Sequence, residues 1–383
     1  MSAFDPDARA SGAAPFREAV VDLDAIRHNV RVLREVARPS LFCAVVKANG
    51  YGHGATAVGR AALDGGADWL AVAQVDEAVV LRDAGIEAPL LVLAEPRLDE
   101  IDDAVATGAR LTVYSSRCIA AIAKSVLAAR VPAVPLHLKV DTGMHRVGAA
   151  PADVVGLARA IGELAEVRLE GVCTHCPVAD EPDNPFTAEQ MVRFDTVLAE
   201  LQAAGIVPEI VHAANSAATL VHPDSRRDLV RCGISVYGIP PSPALAGLVD
   251  LQPALTLASE VAFVKPVAAG EAISYGHRHR FAQDTVVATV PIGYADGVFR
   301  SLPLAGQEVL VGGRRVPMVG VVTMDQLMVD VGPAAHVQVG APVVLLGAQG
   351  DERIDPDEWA ARMGTIAYEV VCAIGARVAR RYR

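Results

Sequence analysis

Leu41-Phe-Cys-Ala-Val-Val46, followed directly by Lys47-Ala-Asn-Gly-Tyr-Gly-His-Gly54, is the stretch on which the fold turns. The first half is a short apolar run; the second is a glycine-rich loop. An open, doubly wound sheet that binds dinucleotides follows its first strand with a Gly-x-Gly-x-x-Gly loop. Here the glycines stand at 50, 52 and 54, and that spacing is missing. Further apolar runs follow at 69–73, 90–93, 111–114, 136–140, 169–174, 209–213 and 230–237. They are too short for helices and too continuous for strands with one wet face. Parallel strands buried on both sides read this way. Helix-like segments lie between them at 55–64, 76–83, 116–129, 152–161 and 187–204, two of them stopped by Gly85 and Gly205. About eight strand–helix units predict a closed (β/α)8 barrel of TIM type, an α/β fold.

After Gln252 the texture changes. Short β-rich runs appear at 260–265, 285–290, 308–311, 318–322, 327–331 and 342–346, with Gly312-Gly313 as a turn and one helical stretch at 356–362. The reading is a flexible lead-in over 1–16, a barrel over 17–252 and a mostly β C-terminal domain over 253–383.

The chain has 383 residues, 52% hydrophobic and 21% charged, enough to bury a large core. Its net charge of −11 argues against nucleic acid as a partner, because phosphate binding needs clustered Lys and Arg. Arg377, Arg380, Arg381 and Arg383 read as a solvated helix end. No run reaches the length of a membrane span, and residues 1–16 lack the apolar core of a signal peptide, so a cytoplasmic protein is expected. Six cysteines in this length do not make a disulfide framework. Cys173-Thr-His-Cys176 has half a zinc site's spacing but no second pair, and reads as reduced, partly buried thiols.

Chemistry in a barrel gathers where strands end. Lys47 stands directly after an apolar strand. A desolvated lysine loses its proton more readily, and the neutral amine attacks carbonyls to form a Schiff base. A strand-end lysine turned to solvent is the plainer alternative. The glycines around Tyr51 let backbone approach a bound group closely, with Tyr51 available to a phosphate.

At this point the segment 46–54 resembles the cofactor-lysine motif of alanine racemases, pyridoxal-phosphate enzymes. The resemblance implies pyridoxal 5'-phosphate on Lys47, with Tyr51 on its phosphate. Other motifs follow in order. Lys139-Val-Asp-Thr-Gly-Met-His-Arg-Val-Gly148 implies Arg146 on the substrate carboxylate or the cofactor's phenolic oxygen. Lys139 matches a lysine carbamylated in some members; a plain lysine paired with Asp141 is the alternative. His175 would bond to the cofactor-facing arginine. Ser216 would bind phosphate with Asn215 nearby, joined by the amides of Gly233 and Ile234. Arg231 would face the pyridine nitrogen. Ser274-Tyr275-Gly276 resembles the second catalytic motif, which sets Tyr275 on the substrate face opposite Lys47. A free tyrosine titrates near 10, so it needs cationic or hydrogen-bonding neighbours to act as a base. His175 and Arg231 are the implied supports. The motif at 292–300 places Tyr294 and Arg300 at the entrance or dimer interface. The loop 320–326 gives the Met324 amide to the substrate carboxylate, supported by Asp325. Tyr368 matches a C-terminal phosphate-binding tyrosine. No metal is implied.

The resemblance covers nearly the whole chain after residue 16. It implies a two-base interconversion of L- and D-alanine, supplying D-alanine for peptidoglycan, in a head-to-tail homodimer with shared active sites. Some positions depart from the pattern. Many relatives carry Ala at Gly50, Gly at His145, and an aromatic where Cys176 stands; the loop before Met324 often begins Gly-Arg and carries Cys, against Val321 and Thr323 here. These leave serine, or a broad set of small amino acids, open as substrates, since an apolar pocket rejects one added hydroxyl weakly. A decarboxylase of basic amino acids on the same architecture would need an acidic pocket and a cysteine motif, and neither is found. A non-catalytic pyridoxal-phosphate-binding protein would resemble the barrel alone.

Overall fold

The computed structural model describes residues 16–333 and 336–383; residues 1–15 of the expected lead-in lie outside them. The chain divides into two compact units. One comprises Asp24–Gly50 and Gly54–Gln252. The other gathers the described residues up to Leu23 together with Tyr51–His53 and Pro253–Arg383.

The first strand, β1 (Arg17–Val21), was expected with the barrel. It belongs instead to the sheet of the second unit, described below. The barrel is made by β2 (Leu41–Val45), β3 (Trp69–Val72), β4 (Leu90–Val92), β5 (Arg110–Val113), β6 (Val134–Lys139), β7 (Val167–Cys173), β8 (Ile210–His212) and β9 (Leu229–Cys232). They form an eight-stranded sheet in which every pairing is parallel, in the order β8-β7-β6-β5-β4-β3-β2-β9. The amide of Asp228 bonds Val211 O at 3.0 Å, and that of Arg231 bonds Ala214 O at 2.9 Å, which draws β9 against β8. All residues of β3 and β4 are buried, which is why their sequences show no alternation.

Helices cover the outside. The helix Leu23–Ala37 buries Ala25, Ile26, Asn29, Val30, Leu33 and Ala37, one stripe at helical spacing. Buried Asn29 is fully used: its Nδ2 donates to Val236 O and Gln252 O, and its Oδ1 accepts Gln252 N. The helix Ser116–Ala129 starts on Ser115, whose hydroxyl accepts the Cys118 amide. Gly85 and Gly205 follow their helices at φ 76° and 78°, the left-handed stop that glycine takes without penalty. The helices Ile101–Ala106 and Ser216–Val221 are too short to have shown a period. The run 230–237 is not one strand. Gly233 ends β9, and Ile234–Tyr237 forms a 3-10 turn, equally buried and so equally apolar.

The second unit contains β10 (Leu255–Glu260), β11 (Phe263–Val267), β12 (Ala272–Ile273), β13 (His279–Arg280), β14 (Thr285–Val290), β15 (Glu308–Val311), β16 (Arg314–Val319), β17 (Leu327–Asp330), β18 (Pro342–Gln349), β19 (Glu352–Ile354) and β20 (Ala379–Tyr382). The large sheet runs β11-β14-β17-β16-β15-β18-β10-β1-β20, with β19 on β18; β12 and β13 form a separate ribbon. Its core includes Ala19, Leu257, Val290, Val309, Leu345 and Trp359. Gly312 and Gly313, both at positive φ, join β15 to β16 between the paired Val311 and Arg314, as a two-residue hairpin requires. The run 260–265 is interrupted: β10 ends at Glu260, and the Ala262 amide turns to Thr289 O before β11 begins. The C-terminal arginines lie in and beside a strand, not at a helix end. β20 pairs parallel to β1, and Arg380 donates to Val378 O and Gly52 O.

Candidate active site

In the barrel unit, the residues singled out in the sequence gather at the ends of strands. Lys47 follows β2, Lys139 ends β6, His175 follows β7, Ser216 follows β8 and Arg231 lies on β9. The backbone after Lys47 makes a left-handed turn: Ala48, Asn49 and Gly50 have φ of 52°, 51° and 62°. Left-handed conformation is unfavourable for residues with a Cβ and persists where neighbours hold it. Asn49 Oδ1 accepts the Ala55 amide at 3.0 Å, and the Gly50 amide returns to Val46 O at 2.8 Å.

Arg231 is buried and donates widely. Nη2 reaches Thr174 O at 2.9 Å, Ala213 O at 3.0 Å and His175 Nδ1 at 3.2 Å. Nη1 reaches His212 Nδ1 at 2.6 Å. A guanidinium only donates, so both histidines accept through Nδ1. Burial, then the charges of Arg231, Lys139, Arg146 and Lys47, hold His175 well below the ordinary histidine range. The His175 carbonyl accepts Gln190 Nε2 at 3.2 Å, which fixes the loop.

Behind Arg231 runs a polar chain that the sequence did not disclose. His212 Nε2 lies 2.7 Å from His137 Nδ1, and His137 Nε2 lies 3.0 Å from Glu170 Oε2. With Nδ1 of His212 an acceptor, each neutral ring donates through Nε2 toward the carboxylate. Arg110 and Arg168 close the chain on Glu170 at 2.9 and 2.7 Å. Burial raises the Glu170 carboxyl, but His137, Arg110 and Arg168 outweigh it and bring it down to about 2. A β-bulge makes the contact. The β6–β7 register passes from Leu136↔Leu169 to His137↔Gly171, so Glu170 is the extra residue. Gly171 lies under the His137 ring, where a Cβ would come within 2.4 Å of Nδ1.

Ser216 is buried, and its Oγ accepts the Gly233 amide at 2.9 Å, joining two of the expected phosphate contacts; Ile234 follows in the 3-10 turn. Asn215 caps the helix Ser216–Val221 by accepting Ala218 N and donates to Cys176 O, so both ends of its amide hold loops. Burial lowers the Lys139 amine, and Arg231, Arg146 and Lys47 lower it further against the opposing effect of Cys173. Asp141 accepts the amides of Gly143 and His145 and pairs with the His145 ring at 3.3 Å. Arg146 is exposed. Cys173 and Cys176 are buried free thiols, and burial pushes Cys176 up to about 11.

In the second unit, three loops carry the rest. Tyr275 is 70% exposed, Met324 53% and Tyr294 43%, large side chains that a folded chain ordinarily covers. The loops are tied together. Ser274 Oγ donates to Val321 O at 3.0 Å, and the amides of Tyr294 and Ala295 bond Thr323 O and Met324 O. Asp325 pairs with Arg377 at 2.6 Å. Arg300 is exposed, and its carbonyl accepts Val322 N. His277, Arg278 and Arg280 are also exposed, as a solvated loop would be. Tyr51 and Tyr368 lie with ring centroids 6.2 Å apart.

The chain has relatives that match these features throughout. Residues 21–241 match the family model described as alanine racemase, N-terminal domain, and 254–382 that for its C-terminal domain. The alanine racemase of Symbiobacterium thermophilum is 48% identical over 368 residues, 95% of this chain and 96% of that one. That of Mycobacterium tuberculosis is 45% identical over 371 residues, 96% of each. The crystal structure of alanine racemase from Bacillus anthracis with bound L-Ala-P superposes with a TM-score of 0.91 at 39% identity, covering 97% of this chain and 96% of that one. Fold and matches together define an isomerase of the barrel-plus-β-domain racemase class. The chain belongs to the alanine racemase family.

Proposed function

We propose that this chain interconverts L- and D-alanine using pyridoxal 5'-phosphate held on Lys47, as a cytoplasmic head-to-tail homodimer that supplies D-alanine for peptidoglycan. The observation that carries the reading is half-buried His175 taking a hydrogen bond from Arg231 at 3.2 Å, with the charges of Lys139, Arg146 and Lys47 reaching the same ring. Four cations around one neutral ring suit a ligand that brings a phosphate and a carboxylate, and the donor set fits this cofactor and an amino acid. Among the described residues, no helix is long and apolar enough to cross a membrane.

When bound, pyridoxal phosphate draws electron density from the substrate's Cα and so makes its hydrogen acidic. Lys47 would hold the cofactor, and Ser216, the amides of Gly233 and Ile234, Tyr51 and Tyr368 would hold its phosphate, with Asn215 fixing the Ser216 helix. Arg231 would face the ring nitrogen. It keeps its protons, because guanidinium is deprotonated only above about pH 12. A partner that gives up no proton would leave the ring nitrogen unprotonated, and so would supply a weaker electron sink. Arg146 and the Met324 amide hold the substrate carboxylate, with Asp325 behind Met324. A lowered Lys139 amine favours the neutral form that carbamylation needs, and the resulting anion would hold Arg146. Lys47 Nζ and Tyr275 Oη act from opposite faces: one removes the α-proton and the other returns one. Tyr275, Tyr294 and Met324 serve the Lys47 of the partner copy, with Arg300 beside the entrance; their exposure on joined loops supports this arrangement.

The test is incubation with pyridoxal phosphate and L-alanine in heavy water, followed by chiral analysis. D-alanine carrying α-deuterium is the expected product. Cofactor bound with neither exchange nor D-alanine would sink the racemase reading. A parallel run with L-serine separates alanine from broader specificity, which Cys176, Val321 and Thr323 leave open.

A further inference from the structure

Glu77 stands at the third position of the helix Val75–Asp83, where a carboxylate commonly reaches back to cap the helix start. One oxygen does that. Oε2 accepts the amides of Ala73 at 2.7 Å and Gln74 at 3.2 Å. The other oxygen leaves the helix altogether. Oε1 accepts the amide of Ala48, the residue immediately after Lys47, at 2.5 Å. One side chain thus ties the end of β3 to the end of β2.

The geometry of that second bond concerns Lys47. The Ala48 N–H lies in the peptide plane whose rotation is the ψ angle of Lys47, so holding the N–H holds ψ. The plane on the other side is held as well, because Val46 O accepts the Gly50 amide at 2.8 Å. With both flanking planes fixed, the direction in which the Lys47 side chain leaves the backbone is fixed. The same bond supports a conformation the sequence disfavours, since Ala48 and Asn49 carry Cβ atoms at φ near +50°.

We propose that Glu77 is a positioning residue for Lys47: its carboxylate holds the left-handed turn that aims the lysine amine. The inference rests on the function proposed above in taking Lys47 as the cofactor lysine.

Two measurements on the full-length chain test it. The first is hydrogen–deuterium exchange at the Ala48 amide of the unsubstituted protein, without cofactor. Ala48 is exposed, so its amide would exchange quickly unless it is bonded. Slow exchange is expected; fast exchange overturns the proposal. The second uses Glu77→Gln. Glutamine at this helix position still caps. Two amides compete for its single oxygen on the helix side, so its NH2 meets the Ala48 N–H, donor against donor. The variant should melt like the parent yet release pyridoxal phosphate roughly tenfold faster, the scale seen when an outer partner of a ligating residue is lost. Borohydride-fixed adduct on the Lys47 peptide, counted by mass spectrometry, reads this directly. The kcat for alanine should fall with KM near its parent value. Adding Ala48→Gly removes the Cβ penalty and should recover most of the retention. Unchanged retention in Glu77→Gln, or no recovery in the double variant, overturns the proposal. Should Glu77→Gln fail to fold, the exchange measurement decides alone. A parent chain that takes no adduct on Lys47 overturns the function reading instead, and the two failures are told apart because the exchange measurement needs no cofactor.

Discussion

Single residues divide into those that meet a ligand and those that aim them. Tyr275→Phe should retain pyridoxal phosphate and lose most turnover from L-alanine, because only the phenolic oxygen is removed. Steady-state rates in both directions check this, and full activity would end the two-base assignment. Glu170 governs acid stability. Its folded-state value of about 2 lies below the ordinary 4.5, so its contribution is fully present above pH 4.5 and is lost as the pH falls toward 2. That contribution is on the order of 3 kcal/mol. His212 and His137 add an earlier loss. Burial, helped by the charge of Arg231 and opposed at His137 by Glu170, holds both below the ordinary 6.5, so the folded state resists protons that the unfolded chain takes up as the pH drops below that value. Glu170→Gln should leave the upper limb of the stability profile and flatten the one below pH 4.5, as read by urea unfolding across pH. Lys47, Lys139, His175, Ser216 and Arg231 drew notice as proposed ligand-facing residues because each stands at or just after the end of a strand. Glu170, His137 and Glu77 did not. Each looks like an ordinary polar residue of its own strand or helix, and its partner lies on a different one.

At the level of the element, the bulge in β7 shows how little room the barrel interior has. Gly171→Ala should destabilise by roughly 1–3 kcal/mol, as overpacking does, because the added methyl would meet the His137 ring. A lowered melting temperature, with cofactor affinity reduced through Arg231, is the expected reading; an unchanged melt would mean that the ring has room to move. The bulge left no pattern in the sequence, since its extra residue, Glu170, reads as one more polar residue in a strand that already carries Arg168. Most barrel strands were visible because burial on both faces makes them uniform. The same uniformity hid the end of β9, where a buried 3-10 turn has the composition of a strand. The left-handed turn after Lys47 was half visible: its glycines announced a special backbone, but Ala48 and Asn49 gave no sign of sharing it.

For the whole molecule, the proposed shared-site homodimer makes a prediction that no single-chain site can meet. Lys47→Ala and Tyr275→Phe chains should each be nearly inactive. Unfolded and refolded together, they form hybrids in which one site has both wild-type residues, so about a quarter of the parent activity should return. No recovery, with hybrids present by mass, would assign both residues to one chain. The two-part organisation was legible from the change in texture near residue 252. The placement of β1 was not, because five residues in a strand carry no information on which sheet receives them.

That strand sets an order of events during synthesis. β1 leaves the ribosome well before its neighbours β10 and β20, which come from beyond residue 254. At about 5–20 residues per second, β1 waits roughly 10–50 s before β10 exists, and longer for β20. The barrel strands are all made within that interval. β1 is therefore made before every barrel strand yet paired only after all of them, and β20 is what covers its second edge.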